Sequence, residues 1–197
     1  MSGALVLALV QNASLLLAMA LVYDIASDRT APAPRPLRRK VVLGLAAGTL
    51  GIAEGTLRVQ REYMAGRVSV SGSVAKTDPG YLGALAVAEA DLAASKCHFK
   101  CMVSELYDHV SAGNRITHEQ ALAFRRNQVR ATDRVFESIA PLARLAGSAG
   151  VQETNDLERW WRDLQTGITH ICNVRESAYL AWGLHTFGGS IPPGTMY

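Results

Sequence analysis

The chain has 197 residues, of which 49% are hydrophobic and 19% charged, so it can bury a sizeable core as one domain or as one domain with an appendage. Its net charge of +3 is small and its basic residues are scattered along the chain, which excludes a strong case for a nucleic-acid partner. Three cysteines are an odd number, and Cys97 and Cys101 share a helix face, a poor geometry for a disulfide framework. This usage indicates a reducing, intracellular environment for most of the chain.

The N-terminal unit, residues 1–29, is apolar. Residues 2–23 carry no charge and are long enough to span a bilayer as a helix. The arginines that follow would keep the C-terminal side of such a helix in the cytoplasm. A spanning helix, a buried core helix and an artefact of a misplaced start codon all remain open, whereas the missing cationic start argues against a signal peptide.

The next unit, residues 30–40, is predicted to be a linker because its prolines favour extended backbone and stop a helix. From residue 41 to 197, apolar residues recur at spacings of three and four, which is typical of amphipathic helices. The predicted helices cover residues 41–66, 79–110 and 117–146, a fourth runs from about 155 to 171, and a short one covers 177–186. Asp78 followed by Pro79 predicts a capped start of the second helix, and Thr117 to Gln120 has the spacing of a capping box at the start of the third. Short connections then predict an all-α, antiparallel up-and-down four-helix bundle with an extra N-terminal apolar helix.

The segment LERWWRDLQTGITH, residues 157–170, stands out from this regular pattern. Asp163 and His170 are seven residues apart and share a helix face, while Arg162 and Asp163 must point to different sides. Ion pairs that orient the helix explain the charged residues, and a histidine near an acid can equally mark a functional site. Ser148, in the glycine-flanked turn GSAG, can be a simple helix stop. The residues alone leave these alternatives open.

The order of these features resembles the C-terminal helical domain of acyl-CoA dehydrogenase-like flavoproteins, from about residue 43 to the C-terminus. GTLGIAEGTL, residues 48–57, resembles the opening helix of that domain, and Arg67 lies where the family has an arginine ending it. LAGSAGVQETNDLERWWRD resembles the family's glycine-serine turn followed by an L-x-R-x-x-R-D pattern. RDLQTGITH, with a histidine eight residues after the arginine, is most similar to the flavin-dependent monooxygenase branch.

The resemblance implies a role for each matching residue. In that branch the histidine lies by the reactive edge of the reduced flavin and stabilises the flavin hydroperoxide, a role that falls to His170. The family's arginine contacts flavin phosphate, which implies the same for Arg67, and the glycine-serine turn near flavin implies cofactor binding by Ser148. Arg162 and Asp163 are expected to be structural ion-pair residues.

The resemblance also implies a cofactor and partners. These are reduced flavin, FMN rather than FAD, a homo-oligomer that builds the flavin site between subunits, a separate flavin reductase and a small organic substrate that is hydroxylated with O2. The family's N-terminal helical domain, its central β-domain and its acyl-CoA dehydrogenase base are not recognisable in this sequence. The expected location is cytoplasmic, with anchoring to the inner membrane if the first helix inserts.

Two further features of the sequence allow other interpretations. Residues 7–29 resemble the first membrane helix of bacterial five-helix sensor domains, so the alternative function is a membrane-anchored helical sensor or interaction module without catalysis. Cys97, His98 and Cys101 lack a second ligand pair, so no metal site is predicted. The sequence also has no nucleotide-binding fingerprint and no assembled Ser-His-acid set.

Overall fold

The computed structural model describes residues 36–68, 72 and 74–195, with side chains from residue 44 onward. These residues form five α-helices: α1 Pro36–Ala65, α2 Pro79–Ser111, α3 His118–Ala146, α4 Asp156–Thr169 and α5 Arg175–Thr186. Two short 3-10 segments, Ala75–Thr77 and Ser148–Val151, lie in the connections. The predicted all-α class is confirmed, and within the described residues β pairing is limited to an isolated bridge between Val68 and Val74.

The side-chain contacts fix how the helices run. Gln60 on α1 donates to the carbonyl of Leu142 on α3, while Thr49 contacts Gly167 and Gly55 contacts Trp160 on α4. Helix α4 therefore runs antiparallel to α1. Helix α2 packs against α3, and α5 covers another part of α3. The main apolar core lies between α1, α2, α3 and α4, and includes Phe99 of α2, Ile139 of α3 and Leu164 of α4.

Two helix starts were predicted correctly from local sequence. The Asp78 carboxylate accepts a hydrogen bond from the Tyr81 backbone N–H at 2.7 Å, and Pro79 follows as the first helical residue. Thr117 and Gln120 form the predicted capping box, with reciprocal bonds of 3.1 and 2.9 Å.

Other boundaries differ from the prediction. Helix α1 begins at Pro36, so the last five residues of the predicted linker 30–40 are helical; proline fits the first turn, where its missing N–H is not needed. Helix α4 ends at Thr169, so Ile171, the last residue of the predicted apolar stripe, lies beyond the helix and is 65% exposed. Solvent exposure is expected for His118 and His185, and His118 is exposed while His185 is half-buried. Their rings meet edge to face, with centroids 5.5 Å apart.

The apolar N-terminal unit, residues 1–29, lies outside the described residues, and so do the alternatives that rest on it. Among the helices that are described, none combines the length and the hydropathy needed to cross a bilayer.

Candidate functional site

Arg67 lies directly after α1, against the turn that follows α3. Its Nη1 donates to the Leu145 carbonyl at 2.5 Å, and its guanidinium carbon lies 5.9 Å from the centre of the Tyr63 ring. Gly147 has a φ of +67°, and a Cβ built there would come within 2.5 Å of Arg67 Nη2. A glycine thus suits both the backbone conformation and the space that the guanidinium occupies.

Ser148 follows this glycine and opens the 3-10 segment Ser148–Val151. Its side chain is exposed, and within the described parts of the chain its hydroxyl has no hydrogen-bond partner. The turn places a cation, a free hydroxyl and backbone amides together. This is a donor set of the kind that binds phosphate.

His170 lies at the other end of α4, as the residue that follows its last turn. Its side chain is exposed, and its Nδ1 accepts a hydrogen bond from the backbone N–H of Cys172 at 3.2 Å. In a neutral imidazole, the nitrogen that accepts carries no proton, so the proton is on Nε2. His170 therefore presents an N–H donor toward its exposed side.

The structure brings Arg67 and Ser148 together but places His170 apart from them. The 14 residues of α4 separate the Ser148 turn from His170, which amounts to about 20 Å at the rise of an α-helix. Arg67 and Ser148 thus lie near one end of α4, and His170 lies at the other.

The neighbouring charged and aromatic residues are structural, as predicted for Arg162. Its guanidinium pairs with Glu158 one turn earlier at 3.0 Å. Trp160 packs on the Cα of Gly55, where a Cβ would overlap its ring at 2.2 Å. Trp161 stacks on Phe136 with ring centroids 5.4 Å apart. The two tryptophan contacts dock α4 on α1 and α3 and thereby set the position of His170.

The cysteine pair lies away from both ends of α4. Cys97 and Cys101 are exposed on α2, and the neighbouring Cys97 thiol is the main cause that raises the pKa of Cys101. Across residues 36–68, 72 and 74–195, no three His, Cys, Asp or Glu side chains approach closely enough to hold a metal ion.

Comparison with known proteins identifies the family. The profile of the acyl-CoA dehydrogenase C-terminal domain matches residues 43–175. The chain belongs to this family. The matched span covers Arg67, Ser148 and His170, so every predicted site residue lies inside the family domain.

Named relatives of this acyl-CoA dehydrogenase C-terminal domain are oxygenases. A pigment production hydroxylase of Rhodococcus erythropolis is 34% identical over 154 residues, which are 78% of this chain and 39% of the relative. The oxygenase subunit HsaA of a flavin-dependent monooxygenase from Mycobacterium tuberculosis is 34% identical over 152 residues, covering 76% of this chain and 38% of HsaA. This chain thus spans about two fifths of the length of the curated relatives it matches.

A solved structure agrees with the fold. The crystal structure of 3-HSA hydroxylase from Rhodococcus sp. RHA1 superposes with a TM-score of 0.71 at 32% identity, covering 82% of this chain and 42% of that one. The expected acyl-CoA dehydrogenase C-terminal fold is confirmed.

Sequence reasoning missed the buried polar residues beneath His170. Arg125 is 3% exposed, Gln128 1% and Asn173 2%, and all three bond to the segment around His170. The sequence pattern could have indicated two of these residues. Arg125 and Gln128 follow Leu122 at helical spacing on the inward face of α3, so they are polar residues where an apolar stripe predicts core.

Proposed function

We propose that this chain is the flavin-binding helical part of a monooxygenase that hydroxylates a small organic substrate with O2. The observation that carries the proposal is His170, exposed at the end of α4 with its Nδ1 bonded to the Cys172 amide. The relative HsaA, a flavin-dependent monooxygenase oxygenase subunit, supports the flavin assignment. In this reaction, bound reduced flavin supplies the electrons that reduce O2.

His170 acts through its Nε2–H. An N–H donor fixed at the end of a helix can bind a developing negative charge on oxygen and control where a proton goes. Because Nδ1 is already occupied by a backbone donor, the ring does not need to reorganise when oxygen arrives. Alanine at this position would leave oxygen chemistry without that donor.

Arg67 and Ser148 hold the phosphate end of the flavin. The Arg67 guanidinium uses one nitrogen for the Leu145 carbonyl and keeps further N–H donors for an anion. The Ser148 hydroxyl and the amides of the turn supply additional donors. A single phosphate group suits this compact set, which favours FMN over FAD.

Two copies of the chain complete the site. Because α4 holds His170 about 20 Å from the Ser148 turn, we propose a homo-oligomer in which the phosphate-binding end of one copy faces the His170 end of another. HsaA is the oxygenase subunit of a flavin-dependent monooxygenase, which supports a separate flavin reductase as a partner, and we propose that the reaction takes place in the cytoplasm.

The first experiment is anaerobic titration of the full chain with reduced FMN, in parallel with His170→Ala and Arg67→Ala. Micromolar binding is expected for the unchanged chain, and roughly tenfold weaker binding for Arg67→Ala because a charge-assisted bond is lost. His170→Ala should bind nearly as well but release more of the O2 it consumes as hydrogen peroxide.

Arg58→Ala is the matched control, because Arg58 is an exposed arginine of α1 that pairs only locally with Glu62 at 3.1 Å. Its binding should equal that of the unchanged chain. A folded helical protein that binds no reduced flavin would overturn the proposal. Equal binding by Arg67→Ala and the unchanged chain would remove Arg67 from the site.

A further inference from the structure

A buried arginine lies directly beneath the turn that carries His170. Arg125 projects from the inward face of α3, and its side chain donates to the main-chain carbonyl of Cys172 through Nη1 and to that of Ile171 through Nη2, the latter at 3.5 Å. Burial lowers the pKa of this guanidinium. A cation is costly to bury, and the hydrogen bonds from Arg125 to the two carbonyls that follow His170 offset part of that cost.

The same turn is secured from two other directions. Gln128, one turn further along α3, donates to the Cys172 carbonyl at 3.2 Å. Asn173 donates through its side chain to the Gly167 carbonyl at 2.8 Å and to the Thr49 hydroxyl of α1 at 3.0 Å. Helices α1 and α3 therefore both hold the four residues 170–173.

This turn determines which nitrogen of His170 carries the proton. The Cys172 N–H reaches Nδ1 only while the peptide between residues 171 and 172 keeps its orientation. Arg125 holds the carbonyl oxygens on either side of that amide, at Ile171 and at Cys172. Rotation of the peptide would break the bonds to Arg125 and to His170 together.

We propose that Arg125 is a positioning residue that keeps the proton of neutral His170 on Nε2 by fixing the Ile171–Cys172 peptide. Its catalytic consequence rests on the proposed function, whereas its effect on the ring is a property of the chain alone. Arg125 does not touch flavin or substrate; it acts through the backbone.

The test uses the full chain with Arg125→Met, which keeps much of the side-chain volume, and Arg125→Lys, which keeps the charge but has no fork of donors. Imidazole nitrogen NMR at alkaline pH, where the rings are neutral, reports the tautomer of His170. Amide hydrogen exchange reports the Cys172 N–H. Arg126→Met is the matched control, because Arg126 is the adjacent arginine and stacks over Trp182 at 4.0 Å, away from the turn.

We expect the unchanged chain and Arg126→Met to show one tautomer with the proton on Nε2. Arg125→Met should show a mixture of tautomers, and its Cys172 amide should exchange roughly tenfold faster, the effect of losing a hydrogen bond from a charged donor. Arg125→Lys should lie between the two. An unchanged tautomer and unchanged Cys172 exchange in folded Arg125→Met would overturn the proposal.

A second variant keeps the test decisive if Arg125→Met does not fold. Gln128→Leu removes another donor from the same Cys172 carbonyl and should shift tautomer and exchange in the same direction by a smaller factor; no shift would count against the proposal. Flavin titration of the same samples separates the two hypotheses. Failure of flavin binding with an intact tautomer effect would overturn the proposed function alone.

Discussion

The guanidinium of Arg67 occupies the space beside Gly147 that any other residue would need for its side chain. The two are 80 positions apart, yet a Cβ on the glycine would come within 2.5 Å of Arg67 Nη2 and within 3.3 Å of its guanidinium carbon. The end of α1 and the end of α3 are thereby locked together at the corner that we propose binds phosphate. Arg67 can take this position because residue 147, the first of the GSAG turn, is a glycine.

Gly147→Ala should therefore lower both stability and flavin binding. A left-handed conformation costs an alanine about 1–2 kcal/mol, and the new methyl group must push Arg67 away from its place. Chemical denaturation measures the first effect and reduced-FMN titration the second. Gly48→Ala is the control, because Gly48 is helical with nothing within 4 Å of an added Cβ, and it should gain up to about 1 kcal/mol. Unchanged stability and flavin binding in Gly147→Ala would contradict this account of the corner.

A second glycine sets the distance between α1 and α4. Gly55→Ala would place a methyl group 2.2 Å from Trp160 Cζ3, so α4 must shift or the ring must move. We expect a loss of about 1–3 kcal/mol in the free energy of unfolding, the usual cost of overpacking. In a Trp160→Leu background the same change should cost much less, because the ring is gone. Equal costs in both backgrounds would show that the close approach is not the cause.

Local sequence predicted those parts of the fold that local chemistry determines. The caps at Asp78 and Thr117 were found because a side chain and a backbone N–H three residues later are enough to form them. Helix α1 starts earlier than predicted because a proline in the first helical turn does not stop a helix. The prediction treated Pro36 as part of the linker.

The candidate site was predictable only as separate residues. His170 was identified by resemblance, but its place beyond the end of α4 depends on contacts with Arg125 and Thr49, which are 45 and 121 positions away in the chain. The apolar spacing continues to Ile171 although the helix ends at Thr169. Arg125 of α3 donates to the Ile171 carbonyl there, and the Asn173 side chain donates to the Gly167 carbonyl and to the Thr49 hydroxyl of α1. No local sequence pattern shows whether the backbone at residues 170–173 continues the helix or bonds to side chains that are distant in sequence. The pairing of Arg67 with Gly147 likewise required the fold.

The ion pair between Asp133 and Arg175 should anchor α5 on α3. Arg175 Nη1 lies 3.0 Å from both oxygens of Asp133, whose side chain is 9% exposed. Asp133→Asn should cost about 1–2 kcal/mol, less than a fully buried pair because Arg175 itself is half exposed. Thermal and chemical unfolding measure the loss. Glu62→Gln, which breaks an exposed pair with Arg58, should change stability by less than about 0.5 kcal/mol; equal losses for the two would argue against a special role of Asp133.

Cys172 should make the protein less stable at alkaline pH. Burial raises the pKa of its thiol above the ordinary value of 9.0, while the positive charge of Arg125 lowers it by a smaller amount. Below pH 9 the Cys172 thiol keeps its proton in both the folded and the unfolded chain. Above pH 9 the thiol ionises in the unfolded chain while it is still protonated in the folded one. Unfolding therefore becomes more favourable as pH rises. Chemical denaturation between pH 8 and about pH 10 should show a decline that is shallower in Cys172→Ala. Because the Cys97 thiol raises the pKa of Cys101, the comparison is made in a Cys97→Ala background. Parallel curves with and without Cys172→Ala in that background would assign the decline to other groups.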